Sequence, residues 1–246
     1  MVTNSLGRMT VQLDSMINEV YKMEIEKKES ELRALQAQMN PHFLYNCLSG
    51  IKWKALRKGD DDISDITGLL AKFYRTALNN GQQITTVSSE LENIRAYIEI
   101  QKKMHEEPFE VEYRIDESGL ECCMPNFLLQ PLVENAIYHG MEFMDGDGEI
   151  RIRAWRQDKD LFMSVSDNGL GMTREQVKRL FGDTDHMPSG RGSGIGVKNV
   201  HQRIRLYFGN DYGLEIQSEP DEGTTVTAHL PAIPYEEVKK EGSYVK

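Results

Sequence analysis

Apolar residues in the first part of the chain recur at intervals of three and four, which places them on one face of a helix. This spacing is followed by Leu13, Met16, Val20 and Met23, and it resumes between residues 32 and 39. A thin amphipathic helix of this kind needs a second helix to cover its apolar stripe. The pattern therefore predicts a coiled coil that pairs with another copy of the chain.

Two further helices are predicted over residues 41–58 and 63–79, because an acidic turn at residues 59–62 separates two helical patterns. On a wheel of about 100° per residue, the first helix has its core stripe at Leu44, Leu48, Ile51 and Ala55. His42 falls on nearly the opposite face of that helix. The two helices together predict a helical hairpin.

A third helix is predicted from residue 88 or 89 to about residue 105. Ser89 and Glu92 have the spacing of a capping box at its start. The pattern changes at residue 109, where strict alternation predicts a strand over 109–115. Further strands are predicted over 149–154, 161–165, 214–216 and 224–230, and further helices over 126–140, 173–181 and 195–208. The prediction is an α+β fold with a helical N-terminal part.

Composition narrows the class of protein. The formal net charge of −10 does not favour nucleic acid, because phosphate contacts come from clustered Lys and Arg. The chain contains no apolar run of about eighteen residues, so no membrane-spanning helix is predicted. The three cysteines lack the spacing of a zinc site or a disulfide framework and predict free thiols in a reducing compartment.

Two separated features carry candidate nucleotide chemistry. Asn135 and His139 share one helix face, where an amide oxygen can ligate Mg²⁺ and an imidazole can contact a phosphate. Asp167 ends a predicted strand, and its carboxylate can accept a hydrogen bond from an adenine amino group. Gly169 and Gly171 follow it and allow the backbone to approach a base closely. Alone, each feature also fits an ordinary helix or turn.

Two glycine-containing segments complete this set. Residues 190–196 contain Gly192, Gly194 and Gly196 directly before a helix, where backbone N–H groups can bind a phosphate. The segment lacks the lysine of a P-loop and does not follow a strand as a Rossmann fingerprint does. The second segment, Gly223-Thr224-Thr225, leads into the last predicted strand.

The order and spacing of the four features resemble the ATP-binding domain shared by histidine kinases, gyrase, Hsp90 and MutL. The resemblance covers about residues 106–232 and implies a Bergerat (GHKL) α/β sandwich with a mixed sheet. It further implies that Asn135 holds Mg²⁺, that Asp167 binds adenine, and that Gly169 and Gly171 shape the base pocket. The glycines at 192, 194 and 196 would close over the phosphates. It assigns ATP contacts less firmly to His139, Lys198 and Thr225.

Residues 36–48 contain Asn40-Pro41-His42-Phe43-Leu44-Tyr45-Asn46, which resembles the signature of LytS/YesM-type sensor histidine kinases. The resemblance implies that His42 is phosphorylated from ATP and that the phosphoryl group passes to an aspartate on a response regulator receiver domain. It also implies a homodimer whose hairpins form a four-helix bundle. Phe43 stands where many histidine kinases carry an acidic residue, so the general base is open, with Glu134 as a candidate. Asn46 is a candidate for a phosphatase role.

The expected organisation is a signalling coiled coil over residues 1–29, phosphotransfer helices over 30–105, an ATP-binding domain over 106–236 and a tail over 237–246. The start of the chain resembles the end of a HAMP linker. This implies a cytoplasmic piece of a bacterial inner-membrane sensor, with the membrane part absent from the chain.

Two alternatives stay open. One is an ATPase of the same superfamily; such ATPases carry a hydrolytic Glu in the helix turn before the Asn, and Gln130 in that turn of this chain disfavours it. The other is a nucleotide-binding dimeric scaffold. A serine kinase of the anti-sigma-factor type is disfavoured by the hairpin that carries His42.

Overall fold

The computed structural model describes residues 41–78, 83–104, 109–140, 147–181 and 195–241. The predicted coiled coil therefore lies outside the described residues, as does most of the segment over 182–196 that holds the glycine-rich loop. The chain divides into two compact units between Cys47 and Leu48. In the described part of the chain, no helix has the length and apolar character needed to cross a membrane.

The predicted helical hairpin is present as α1 (Pro41–Lys58) and α2 (Asp61–Leu78). Gly59 makes the turn with a φ of +71°, which a glycine adopts without strain. Asp60 caps α2, because its carboxylate accepts a hydrogen bond from the Ile63 N–H at 3.1 Å. In the predicted core stripe of α1, Leu48 and Ala55 are buried, whereas Ile51 is 48% exposed.

A short strand, β1 (Ile84–Thr86), leads directly into the third helix, α3 (Val87–Met104). The Thr86 hydroxyl accepts a hydrogen bond from the Ser89 N–H at 3.1 Å and so caps α3. The predicted capping box of Ser89 and Glu92 is wrong, because the helix begins two residues earlier than Ser89. β1 pairs in antiparallel register with β3 (Cys123–Pro125), a two-stranded sheet that the sequence patterns did not predict.

The main sheet has five strands: β2 (Phe109–Ile115), β4 (Gly148–Gln157), β5 (Asp160–Asp167), β6 (Gly213–Glu219) and β7 (Gly223–Pro231). Their order across the sheet is β2-β4-β5-β7-β6. β2 and β4 are parallel and the other neighbours are antiparallel, so the sheet is mixed. Buried apolar residues alternate along β4, β5 and β7, which means that one face of the sheet carries the core.

The remaining helices are α4 (Gln130–Gly140), α5 (Arg174–Phe181), α6 (Ile195–Phe208) and α7 (Tyr235–Glu241). The core joins apolar side chains of the sheet with those of α4 and α6. It also includes Val87, Leu91, Ile94 and Ile98 of α3. The helical N-terminal part followed by a mixed-sheet α/β domain confirms the predicted fold class. α7 extends as far as Glu241, into the segment over 237–246 that was expected to be a tail.

Candidate functional site

Helix α4 carries the first candidate residue, Asn135, which is half-buried. Pro131 lies in the first turn of the helix, where its missing N–H leaves no helical bond unmade. The prediction of a helix from residue 126 is wrong by four residues, because Phe127 has a φ of +55°, outside helical geometry. His139 lies in the last turn of α4, and its side chain is outside the described part of the structure.

Glu134, the candidate general base, is half-buried on α4. Its carboxylate accepts a hydrogen bond from the Gln130 side-chain amide at 2.7 Å. The carbonyl oxygen of the Gln130 side chain is buried and has no hydrogen-bond partner within the described ranges.

Asp167 is the last residue of β5 and lies at the edge of its core face. Leu161, Met163 and Val165 are buried on that face, and alternation places Asp167 on the same side. One of its carboxylate oxygens accepts a hydrogen bond from the Gly169 N–H at 3.1 Å. This bond turns the chain sharply after the strand and fixes the carboxylate at the end of the core face of β5, the strand on which α4 packs.

Gly171 and Gly223 enclose the turn that follows Asp167. Both have positive φ values, +62° and +92°. A Cβ at Gly171 would overlap the carbonyl oxygen of Glu219, and a Cβ at Gly223 would overlap the carbonyl oxygen of Asp167. The backbones approach so closely here that only glycine fits at either position. The role of Gly171 in shaping a base pocket stays a prediction.

Two polar residues that the sequence analysis did not single out hold this turn. Asn168 accepts a hydrogen bond from the Glu149 N–H at 2.7 Å and donates one to the Asp147 carbonyl at 2.9 Å, which ties the turn to the start of β4. The Ser218 hydroxyl accepts from the Met172 N–H at 2.7 Å and donates to the Gly223 carbonyl at 2.9 Å. Asn168 could have been identified from the sequence, because the asparagine of a D-N-G sequence commonly forms a turn.

The last strand presents Thr224, not Thr225, to the Asp167 side. Thr224 is the direct cross-strand partner of Asp167. Thr225 lies on the opposite face of the sheet, where its hydroxyl donates to the Ser166 hydroxyl at 2.9 Å. The structure therefore does not bring Thr225 together with the other candidate residues.

The glycine-rich segment before α6 is only partly described. Gly192 and Gly194 lie outside the described residues, whereas Gly196 is in the first turn of α6. A Cβ at Gly196 would lie 3.4 Å from the Cβ of Pro131, so this glycine stands where α6 approaches α4. Lys198 follows on α6 and is half-buried.

His42 and Asn46 lie on α1, one helical turn apart. Asn46 is exposed, whereas the side chain of His42 lies outside the described part of the structure. Phe43 is 68% exposed beside them. The backbone geometry of a helix places position 46 on the same face as position 42.

The described residues contain no cluster of three or more His, Cys, Asp or Glu side chains that could hold a metal ion. Mg²⁺ does not need such a cluster when it binds together with phosphates: one or two protein ligands are enough, and phosphate oxygens and water complete its shell. A single half-buried amide such as that of Asn135 fits that requirement.

Two family models match the chain. One, described as histidine kinase, matches residues 30–109. The other, described as the histidine kinase-, DNA gyrase B- and HSP90-like ATPase, matches residues 126–234. The first match includes His42 on α1, and the second includes Asn135 on α4 and Asp167 on β5.

Curated relatives show the same relationship over most of the chain. Sensor histidine kinase YesM of Bacillus subtilis is 36% identical over 92% of this chain and 38% of its own length. Sensor histidine kinase BtsS of Escherichia coli is 34% identical over 82% of this chain and 34% of its own length. A solved histidine kinase domain from Erythrobacter litoralis aligns with 84% of this chain at 16% identity and a TM-score of 0.46. The chain spans less than two fifths of the length of either curated relative.

Proposed function

Because this chain belongs to the sensor histidine kinase family, we propose that it phosphorylates its own His42 from ATP. The phosphoryl group then passes to an aspartate of a response regulator receiver domain. The observation that carries the proposal is the presence in one chain of both parts of the reaction. Pro41, His42 and Phe43 of the Asn-Pro-His-Phe box lie in the first turn of α1, and the turn from Asp167 to Gly171 follows the end of β5.

The proposed reaction needs a nucleophile and a positioned phosphate. A neutral imidazole nitrogen is available near pH 7. The His42 nitrogen attacks the γ-phosphorus in line, an N–P bond forms, the bond to the bridging oxygen breaks, and ADP leaves. Most of the catalysis in such a transfer comes from positioning and from neutralising charge on the phosphates.

Each residue has a stated task in this proposal. Asp167 accepts the hydrogen bond of the adenine amino group, and Gly169 and Gly171 allow the base to approach the backbone. Asn135 holds Mg²⁺, which supplies positive charge to the phosphates. Glu134 is our candidate for the base that takes the imidazole proton. A role for Asn46 in dephosphorylating the regulator stays a prediction. The same holds for phosphate contacts from His139, Lys198, Gly192, Gly194 and Gly196.

Thr224 takes the place that the resemblance gave to Thr225. Thr224 pairs with Asp167 on the core side of the sheet, where its hydroxyl lies 2.9 Å from that of Ser218. Thr225 lies on the other face, against Ser166. A hydroxyl next to the adenine-binding carboxylate can share a water molecule or a hydrogen bond with the base. We therefore expect Thr224 to contribute to nucleotide affinity.

A homodimer is part of the proposal. On the hairpin, Ile51, Leu56 and Ile63 are each more than 40% exposed. Large apolar side chains grouped on one hairpin favour burial against a second copy, as in a four-helix bundle. We place the dimer in the cytoplasm, where ATP and response regulators are found, and attribute any contact with a membrane to a sensor region outside this chain.

The test is incubation with γ-labelled ATP and Mg²⁺, comparing the parent chain with His42→Ala and Asp167→Asn. The parent should take up label that is stable to alkali and labile to acid. His42→Ala should lose the label but still bind nucleotide, whereas Asp167→Asn should lose both. Label retained on His42→Ala would move the acceptor elsewhere, and release of free phosphate without label would favour an ATPase.

A further inference from the structure

A buried carboxylate lies outside the proposed reaction and has no role in it so far. Glu90, in the first turn of α3, is 1% exposed. One of its oxygens accepts a hydrogen bond from the Leu129 N–H at 2.9 Å, and the other accepts from the Phe127 N–H at 3.1 Å. A carboxylate is rarely this deeply buried unless hydrogen bonds replace its hydration. Both oxygens are therefore committed to the segment that precedes α4.

That segment sets where α4 begins. Phe127 has a φ of +55°, which is rare for a bulky residue, and the bond to Glu90 holds its N–H in place. The Leu129 carbonyl accepts the first bonds of the helix from the N–H groups of Leu132 and Val133, at 3.0 Å each. Glu90 therefore holds Leu129 in place, and Leu129 accepts the first hydrogen bonds of the helix on which Asn135 lies.

The same helix, α3, is attached on another side to the hairpin. The Thr76 hydroxyl of α2 donates to the Asn93 side chain at 3.0 Å, and the rings of Phe73 and Tyr97 lie 5.9 Å apart. Lys103 is 3.3 Å from the Asp65 carboxylate. These contacts join the hairpin helix to α3 along most of its length.

Charged groups on α4 and α6 influence the pKa values of two side chains on α3, Glu90 and Tyr97. Burial raises the pKa of Glu90, while the N–H groups of Leu129, Phe127 and Leu128 and the positive charge of Arg203 on α6 oppose that rise. Burial, together with the nearby charge of Glu134 on α4, raises the pKa of Tyr97 to about 12. The charges of Arg203 on α6 and Glu134 on α4 therefore act on side chains of α3.

We propose that Glu90 is a positioning residue for nucleotide binding: it fixes the start of α4 to α3, so that Asn135 follows the placement of a helix that also contacts the hairpin. The inference rests on the proposed ATP site. Through Glu90, a displacement of α3 by the hairpin changes where Asn135 stands relative to Asp167. Glu90 does not touch ATP and acts only through the backbone of Phe127 and Leu129.

The test is calorimetric titration of the whole chain with Mg²⁺ and the non-hydrolysable β,γ-imido analogue of ATP. Glu90→Gln keeps the shape of the side chain but replaces one acceptor oxygen by an amide. We expect it to bind the analogue at least about fivefold more weakly than the parent, the low end of measured couplings between sites. Amide hydrogen exchange at Phe127 and Leu129 should accelerate in the same variant.

Two variants on the same helix serve as controls. Glu92→Gln makes the same chemical change at an exposed position, and Ile98→Val loosens the buried side of α3 without touching Glu90. Both should bind the analogue as the parent does. Unchanged affinity in Glu90→Gln would overturn the proposal, and so would an equal loss of affinity in Ile98→Val.

Two further outcomes are decisive. If Glu90→Gln does not fold, Glu90→Asp takes its place, because the shorter side chain keeps the charge but cannot reach both N–H groups. Unchanged affinity there overturns the proposal, and a loss supports it. If the parent itself does not bind the analogue, the ATP site fails and this inference fails with it; binding by the parent with unchanged Glu90→Gln overturns this inference alone.

Discussion

Replacing Gly171 by alanine should strongly destabilise the sheet domain, and the structure sets the size of the loss. The residue has a φ of +62°, and a left-handed conformation costs a non-glycine residue about 1–2 kcal/mol. The new Cβ would overlap the Glu219 carbonyl oxygen and lie 2.9 Å from that of Gly223. Overpacking of this kind adds about 1–3 kcal/mol. We therefore expect the free energy of unfolding to fall by about 2–5 kcal/mol.

Gly209→Ala separates the two contributions. Gly209 also has a positive φ, +94°, but a Cβ there meets nothing within 4 Å. This control should lose only the conformational part, about 1–2 kcal/mol. The difference between the two variants measures the clash at the turn that follows Asp167.

The assay is urea unfolding followed by tryptophan fluorescence. The chain has two tryptophans, Trp53 on α1 and Trp155 on β4. In a Trp53→Phe background, the signal comes from the sheet domain alone. A midpoint for Gly171→Ala no lower than that for Gly209→Ala would refute the reasoning, because the close approach of the two backbones would then have no energetic effect.

Two other groups give predictions from their surroundings. The His201 ring accepts a hydrogen bond from the Leu214 N–H at 3.0 Å, and burial, aided by a nearby arginine, lowers its pKa below the usual 6.5. The folded state favours the neutral ring, so the stability it contributes is present above pH of about 6.5 and is lost as the pH falls through the lower folded pKa. His201→Asn should show a smaller loss of unfolding free energy between neutral and mildly acid pH, and an unchanged slope would contradict this. Burial raises the pKa of Cys123 to about 11, so in the native chain a thiol reagent should modify exposed Cys47 first and reach the two buried cysteines only on unfolding; three equally fast thiols would contradict it.

The elements that the sequence predicted well are those with a long, regular pattern. β2 and α6 begin and end at the predicted residues, 109–115 and 195–208, because one alternates strictly and the other keeps a helical apolar face. The turn at Gly59 and Asp60 was equally clear, since its residue types serve few other purposes. Local pattern was sufficient wherever the local fold did not depend on a distant partner.

The errors came from long-range partners. β1 has three residues, too few to show alternation, and exists because Cys123, Met124 and Pro125 pair with it from almost forty residues away. Glu90 lies near a helix start, where an acidic side chain is ordinarily solvent-exposed and favourable. Its burial follows from the N–H groups of a segment that no local pattern connects with it.

The proposed nucleotide site also contains one part that local sequence predicts and one part that it does not. Asp167 and Gly171 could be identified from a short motif, because the turn there is made by consecutive residues. The face of the sheet on which Thr224 and Thr225 stand could not, since it depends on the register between β5 and β7. A shift of one residue exchanges the two faces of a strand, which is why two adjacent threonines have opposite surroundings here.

Helix α3 was expected to belong with the phosphotransfer helices, but its apolar side chains pack in the core of the sheet domain. Val87, Leu91, Ile94 and Ile98 are each at most 4% exposed and lie in the same core as the sheet. Full burial of such side chains stabilises by about 1.5–3 kcal/mol each, so together they contribute on the order of 10 kcal/mol, comparable to the whole stability of a domain. A sheet domain that began at residue 106 would lose this contribution and the Glu90 contact at the start of α4. We therefore propose that the sheet and α3 fold together, and that the hairpin acts on the nucleotide site through a helix already belonging to it.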